Sequence, residues 1–175
     1  DINEDVIAQS KITYLEGYLW DLDDAQEAIK NAIKISKEAG KLVAFSVSDV
    51  FCIERFRESF LNLVNNEADI IFANEEEIKS LYQKDSLDDC LEIISQHDKI
   101  FAITLGKKGA MIINKDQLIQ INAQQIENLV DTTGAGDLFA AGFLLGYING
   151  ENLEQCGNKG VIFASKISQI YGARL

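Results

Sequence analysis

The chain has 175 residues, of which 47% are hydrophobic, a composition that predicts an ordinary globular fold with a sizeable core rather than a disordered segment. The formal net charge of −12 argues against nucleic acid or an anionic membrane as a partner, and the longest apolar run, 138–148, is too short to span a bilayer. A polyanionic ligand would need local devices, such as helix ends, loop amides or a metal ion.

Histidine and cysteine are scarce. His97 is the only histidine, so a two-histidine metal site is excluded, and its polar surroundings are typical of a solvated surface side chain. Cys52, Cys90 and Cys156 form no Cys-x-x-Cys pair, so we expect reduced thiols and a cytoplasmic protein. Position 1 is not Met and the first residues lack the pattern of a signal peptide, so we interpret it as an internal position of a longer protein.

Strand-like and helix-like periods alternate along the chain. In the first half they predict a strand at 11–19, a helix at 23–39 ended by Gly40, a strand at 42–47, a helix at 54–65 and a strand at 69–73. In the second half they predict helices at 75–82 and 87–96, a strand at 100–105, antiparallel strands at 109–113 and 117–121 around a turn at 114–116, a buried helix at 138–147, and a helix at 153–170. This alternation indicates an α/β protein with parallel strands.

The segment DTTGAGD at 131–137 directly precedes the predicted buried helix. Small residues let a ligand approach the backbone, and the amides and dipole of a helix start favour an anion. A loop of this kind can hold a phosphate, with Asp137 in the first helical turn beside it. The structural alternative is that Gly134 and Gly136 only form a tight turn while Asp137 caps the helix.

Other nucleotide-binding patterns are absent. No segment has the G-x-x-x-x-G-K-[ST] form of a P-loop. A dinucleotide fingerprint would need glycine or alanine where Phe139 stands, which disfavours an NAD-dependent enzyme.

Two further segments follow predicted strands. Asn74 and Glu77 open a helix with the spacing of a capping box, which is a sufficient structural reason for both residues. Thr104, Gly106 and Gly109 lie at the end of a strand, where ligands of open α/β sheets bind, although a plain hairpin turn explains the glycines equally well.

In this order, the three segments resemble the signatures of the ribokinase-like family of sugar and nucleoside kinases, also called the PfkB family. The N-x-x-E motif is similar to 74–77, the T-x-G-x-x-G motif to 104–109, and the glycine signature to 131–137. The resemblance spans most of residues 11–175, and the wording EGYLW and SDVFC looks closest to the adenosine-kinase-like branch. It implies a three-layer αβα fold with a mostly parallel sheet. Residues 1–175 would be one domain portion, on the nucleotide-binding side, without the amino-terminal half and lid.

The resemblance also implies roles for the glycine signature. Asp137 matches the catalytic base of the family, which orients and deprotonates the acceptor hydroxyl. The backbone amides of Gly134, Ala135 and Gly136 match the anion hole that stabilises the transferring phosphoryl group.

The other matched positions imply cofactor contacts. Asn74 and Glu77 match the residues that hold Mg²⁺ and phosphate, through water. Thr104, Gly106 and Gly109 match the nucleotide-binding segment.

Two further sets of positions carry over from the family. The helical stretch from Gly160 to Ala164 matches one whose residues line the adenine site in the family. Asp131 and Thr133 match positions that some members use for a monovalent cation such as K⁺.

Taken together, the resemblance implies an ATP- and Mg²⁺-dependent phosphotransferase that transfers the γ-phosphate to a hydroxyl of a nucleoside or sugar. The expected partner is this small-molecule acceptor, with no nucleic acid and no membrane. The alternative is a non-catalytic nucleotide-binding or regulatory module of the same fold, or an inactive fragment. Asp137 and the complete glycine loop favour the enzyme, because a binding module has no need of a base.

Overall fold

The computed structural model describes residues 2–115 and 117–173. Within these ranges the strands are β1 (Ile12–Glu16), β2 (Leu42–Ser46), β3 (Ile70–Asn74), β4 (Ile100–Thr104), β5 (Ala110–Asn114) and β6 (Gln117–Ile121). The α-helices are α1 (Glu4–Gln9), α2 (Asp23–Glu38), α3 (Val50–Asn62), α4 (Glu75–Tyr82), α5 (Leu87–Ile94), α6 (Ala135–Ile148) and α7 (Leu153–Ile167).

The strands form one sheet in chain order. β1 to β4 pair in parallel, and β5 and β6 extend the sheet as an antiparallel hairpin beside β4. Helices α2 to α5 pack on one face, and α6 and α7 pack on the other. The predicted three-layer αβα arrangement with a mostly parallel sheet is confirmed.

Each face of the sheet has its own apolar core. On the α2–α5 face, Phe60 of α3 packs edge-on against Phe45 of β2, with ring centroids 5.2 Å apart. On the other face, Phe143 of α6 packs edge-on against Phe72 of β3 at 5.5 Å. A fully buried side chain of this size contributes about 2–3 kcal/mol, so α6 is held firmly against the sheet.

The first strand ends earlier than the predicted boundary of 19. A 3₁₀ turn begins at Gly17. Position 17 requires glycine, because a Cβ there would lie 2.7 Å from the carbonyl oxygen of Val47 and 2.9 Å from the ring of Phe60. The Gly17 amide donates to Ser48 Oγ at 2.8 Å, which joins the end of β1 to the loop after β2. The apolar aromatic run that follows Gly17 has the composition of a strand but lies in this 3₁₀ turn.

Helix boundaries differ from the prediction where a cap or a turn type decides them. Helix α3 starts at Val50 rather than 54, because the Asp49 side chain accepts a hydrogen bond from the Phe51 amide, and it continues into a π-helical turn at Leu63–Glu67. Helix α2 ends before Gly40, whose φ of +65° confirms the predicted role of this glycine.

Further bounds also differ: α5 ends at Ile94 rather than at 96, and β2 to β5 differ from the predicted strands by one residue. Helix α6 starts at Ala135 rather than at 138, and α7 ends at Ile167 rather than at 170. The short helix α1 was not predicted. The predicted antiparallel pair forms as β5 and β6, although Asp116 of its turn lies outside the described residues.

Candidate active site

The glycine loop lies at the carboxyl edge of the sheet. Helix α6 packs on the sheet at β3, and Lys11, just before β1, donates through Nζ to the carbonyl oxygen of Ile148 at the end of α6. At the other end of the strand, burial raises the pKa of Glu16, and the nearby carboxylate of Asp137 raises it further. The start of α6 therefore faces the edge where the parallel strands end.

The start of α6 offers free backbone amides. Gly134 occupies the N-cap position with φ of +77°, and no side chain caps the helix. The Ala135 amide donates to the Thr132 carbonyl oxygen at 3.0 Å and so closes the turn. Within the described residues, the amides of Gly134, Gly136 and Asp137 have no acceptor. An anion at this helix start would meet these amides, whereas the amide of Ala135 is already engaged.

Asp137 is the third residue of α6 and its side chain is exposed. Its carboxylate makes no hydrogen bond to the described residues and does not cap the helix. The capping alternative for Asp137 is therefore wrong, whereas the tight turn at Gly134 is present. A free carboxylate beside unoccupied amides can accept a proton from a group held at the same edge.

Asn74 and Glu77 form a complete capping box at the start of α4. The Glu77 amide donates to Asn74 Oδ1 at 2.8 Å, and the two carboxylate oxygens of Glu77 accept from the Asn74 amide at 2.8 Å and from Asn74 Nδ2 at 2.6 Å. Glu77 is 9% exposed. Burial raises its pKa, the Asn74 backbone hydrogen bond opposes this, and the negative charge of Asp49 adds to it. The side chain is thus fixed at the carboxyl end of β3.

The side-chain oxygens of Asn74 and Glu77 suit a metal ion that is bound through its water ligands better than one that they coordinate directly. No group of three or more His, Cys, Asp or Glu side chains in residues 2–115 and 117–173 is arranged to hold a metal ion. Asn74 Oδ1 is engaged by the Glu77 amide, while each Glu77 oxygen keeps a lone pair after accepting one hydrogen bond. Mg²⁺ retains several waters in protein sites, so this pair fits it as an outer contact.

The glycines after β4 have separate structural reasons. Gly106 begins a 3₁₀ turn with φ of +57°, and the exposed Lys107 and Lys108 follow it. Gly109 has φ of +97°, and a Cβ there would lie only 1.9 Å from the carbonyl oxygen of Ile121. Only glycine fits at position 109, because the end of β6 crosses it so closely.

A cavity of about 740 Å³ joins this turn to the start of α6. It is lined by the turn after β4, the segment after β6, and the facing ends of α6 and α7, namely Thr104, Gly106, Lys107, Lys108, Gly109, Asn122, Ala123, Gln124, Gln125, Ile126, Leu129, Thr132, Ala135, Gly136, Phe139, Val161, Ala164, Ser165 and Ser168. Its volume is typical of a cavity that holds a small ligand, and its two exposed lysines offer positive charge. The cavity therefore offers apolar walls and a positively charged rim to a small ligand.

Gly160 and Ala164 were predicted together as lining residues, but only Ala164 lines the cavity. Gly160 is buried between α6 and α7, and a Cβ there would lie 2.8 Å from Cδ2 of Phe139. The small residue at 160 therefore permits close helix packing, and its contact is with Phe139 rather than with the cavity.

Asp131 and Thr133 are close together, beside the glycine loop. Asp131 Oδ1 accepts from the Thr133 amide at 2.9 Å and from Thr133 Oγ1 at 2.7 Å, and Asp131 Oδ2 accepts from the Gly172 amide at 3.1 Å. These hydrogen bonds lower the pKa of Asp131. Asp131 Oδ1 thus accepts two protein hydrogen bonds, whereas Oδ2 accepts one and keeps a lone pair, and the cation role stays a prediction.

Three polar residues near the edge were missed by the sequence reasoning. Glu16 ends β1, Tyr18 follows that strand and Asp49 follows β2. Burial, and then the charge of Asp49, raise the pKa of Tyr18. The three residues lie in the segments EGYLW and SDVFC, which carry the resemblance to the adenosine-kinase-like branch, and that resemblance was the usable signal. His97 lies before β4, at the opposite edge of the sheet. Its side chain is half-buried, with its ring centroid 6.0 Å from that of Phe101, so it is not the fully solvated side chain that was predicted.

In the part of the chain that the structure describes, no helix is both long and apolar enough to cross a membrane. The fold and site define an α/β protein with free amides, a carboxylate and a ligand-sized cavity together at one edge of its sheet. Comparison with known proteins identifies the family to which this arrangement belongs.

The family model described as pfkB family carbohydrate kinase matches residues 1–175. The structure is similar to that of adenosine kinase from Sinorhizobium meliloti, with a TM-score of 0.97 and 41% identity over 100% of this chain and 54% of that one. An uncharacterized sugar kinase from Archaeoglobus fulgidus is 38% identical over 60% of this chain and 42% of its own length. A nucleoside kinase from Methanocaldococcus jannaschii is 32% identical over 67% and 38%, respectively.

The chain belongs to the pfkB family of carbohydrate kinases. Its architecture is the ribokinase-like fold, which it shares with the adenosine kinase structure. The chain spans about half the length of the adenosine kinase structure that it matches.

Proposed function

We propose that the protein containing this chain is an ATP-dependent kinase that phosphorylates a hydroxyl group of an adenosine-like nucleoside. The observation that carries this proposal is the exposed carboxylate of Asp137 beside the free amides of Gly134 and Gly136, at the carboxyl edge of the sheet. A site that only binds a nucleotide has no need of that carboxylate, which is why we favour an enzyme over a regulatory module.

In the proposed reaction, Asp137 orients the acceptor hydroxyl and accepts its proton. The hydroxyl oxygen forms a bond to the γ-phosphorus, the bond from that phosphorus to the bridging oxygen of ATP breaks, and ADP leaves with the bonding electrons. The free amides at the start of α6 donate hydrogen bonds to the transferring phosphoryl group, which is where negative charge needs stabilisation. Proton removal occurs late in such a loose transition state, so a weakly basic carboxylate is sufficient.

The cavity between the turn after β4 and the end of α7 is the proposed nucleotide site. Lys107 and Lys108 lie at its rim and offer positive charge in a chain whose net charge is −12. Asn74 and Glu77 would hold the water shell of Mg²⁺, which when bound neutralises phosphate charge. The fixed rotamer of Glu77 suits this outer contact, because both of its oxygens are oriented by Asn74.

The acceptor is proposed to be a nucleoside because of the likeness to adenosine kinase. The match to that structure covers the whole chain at 41% identity. A screen of nucleosides and sugars for ADP release by the full protein tests this choice. A clear preference for a hexose or pentose over adenosine would contradict it.

The central test is Asp137→Asn in the full protein. The change keeps the size of the side chain and removes the proton acceptor, so we expect kcat to fall by about 10²–10⁴-fold while ATP binding stays within about threefold. Turnover is measured by coupled ADP release, and ATP binding by calorimetry.

Asp89→Asn is the matched control. Asp89 is also an exposed carboxylate at the third position of a helix, α5, but no residue of that helix lines the cavity, whereas the cavity-lining residues Ala135 and Gly136 directly precede Asp137 in α6. We expect Asp89→Asn to retain full turnover. Equal turnover of Asp137→Asn and the wild type would remove Asp137 from the reaction and favour the non-catalytic alternative.

A further inference from the structure

The segment that follows α7, residues 168–173, returns along the glycine loop and touches it at three points. The Ser168 carbonyl oxygen accepts from the Val130 amide at 2.9 Å and from the Asp131 amide at 3.4 Å. The Gly172 amide donates to Asp131 Oδ2 at 3.1 Å. A Cβ on Gly134 would lie 2.9 Å from Cβ of Ala173. We refer to residues 168–173 as the return segment.

Asp131 is the side chain that joins the return segment to the loop. Its Oδ1 binds the Thr133 amide and hydroxyl, which fixes the turn ahead of α6, and its Oδ2 binds the Gly172 amide. The N-cap residue Gly134 receives no side-chain hydrogen bond, so the start of α6 has no cap of its own to fix the loop. The direction of the free amides therefore depends on contacts from outside the helix.

The return segment also belongs to the cavity. Ser168, at its start, lines the cavity and is 7% exposed, and its Oγ donates to the Ala164 carbonyl oxygen at 2.8 Å. Ala164 lines the same cavity as Ala135 and Gly136 of α6. An occupant of the cavity and the start of α6 therefore contact one continuous set of hydrogen-bonded residues.

We infer that Asp131 is a positioning residue, which holds the return segment against the glycine loop and so sets where the Gly136 and Asp137 amides point. The inference rests on the proposed function for its effect on catalysis. It differs from the cation role implied by the family resemblance, because here the carboxylate acts through amide donors of the protein itself.

The test is Asp131→Asn in the full protein. Asparagine has one acceptor oxygen, so it binds either Thr133 or Gly172 but not both. We expect kcat to fall by about tenfold or more, the scale of one lost charge-assisted hydrogen bond, while KM for ATP changes less than about threefold. The loss is expected to be the same in potassium chloride and in choline chloride.

Gln169→Ala is the matched control, because Gln169 is an exposed residue of the same segment whose side chain bonds only the Ser165 carbonyl oxygen within the helix. It is expected to leave kcat unchanged. If potassium activates the wild type and Asp131→Asn equals the wild type in choline, Asp131 acts by binding a cation and the positioning inference is overturned.

A second readout separates this inference from the proposed function. Hydrogen exchange of the full protein is expected to be faster in Asp131→Asn at two places, the return segment and residues 132–137, without a change in the sheet. If the wild type phosphorylates no acceptor, the proposed function fails while this exchange result still stands. Faster exchange in the return segment alone would overturn the positioning role.

Discussion

Gly136→Ala separates the two possible reasons for a glycine at the start of α6. A Cβ at Gly136 would meet no atom of the described residues within 4 Å, and Gly136 does not require a positive φ. The substitution is therefore sterically free within the chain. Alanine loses less backbone entropy than glycine when a helix forms, so we expect the free energy of unfolding to rise by about 0.5–1 kcal/mol.

The same methyl group would stand at the proposed anion site, because Gly136 lines the cavity and its amide is free. Blocking the approach of the phosphoryl group to one donor costs about 10²–10³-fold in kcat by analogy with the loss of one oxyanion donor. We therefore expect a protein that is more stable but nearly inactive. In a protein of about 150–250 residues this gain corresponds to a Tm increase of about 1–4 °C, and in a longer full protein the increase is smaller.

The assay pairs thermal unfolding with coupled ADP release at saturating ATP, both on the full protein. Gly134→Ala is the comparison, because φ of +77° and a Cβ 2.9 Å from that of Ala173 predict a lower Tm together with lower activity. Retention of wild-type turnover by Gly136→Ala, with a raised Tm, would refute the reasoning that the start of α6 holds the transferring phosphate.

Two further predictions concern stability. Since the pKa of Glu77 is raised above 4.5 in the folded state, mainly by burial, the folded protein binds more protons than the unfolded one from pH 4.5 up to the raised value. Glu77 thus makes the free energy of unfolding fall as pH rises through that window. Urea unfolding at several pH values is expected to show this fall in the wild type, without the Glu77 contribution in Glu77→Gln. If the difference in unfolding free energy between the wild type and the variant does not fall with pH, the prediction is wrong. Gly109→Ala is expected to destabilise by more than about 2 kcal/mol, because the left-handed backbone costs about 1–2 kcal/mol and its Cβ would lie 1.9 Å from the Ile121 carbonyl oxygen. Gly106 has φ of +57°, and a Cβ there would meet no atom within 4 Å, so Gly106→Ala is expected to lose only the free energy that the left-handed backbone costs. Equal losses of unfolding free energy in the two variants, measured by chemical denaturation, would contradict this prediction.

Periodicity and turn residues were enough to predict the parallel α/β class and most elements. Gly40 ends α2 as predicted, and α4 has the predicted bounds of Glu75–Tyr82. These elements follow from local rules, since a left-handed glycine and a capping box act within a few residues of chain. The site motifs were also visible in sequence, because each immediately follows or precedes a regular element.

By itself, the sequence determined which short segments could carry the chemistry, because glycine spacing, caps and alternating apolar periods are local properties of the chain. Only the tertiary structure decided that β1 stops before Gly17, which lies in close contact with Phe60. It also decided that Gly160 packs on Phe139 rather than lining the cavity, and that the Gly172 amide donates to Asp131. These contacts join residues that are far apart in the chain, and their geometry depends on how two layers of helices pack across the sheet. No local pattern encodes those distances.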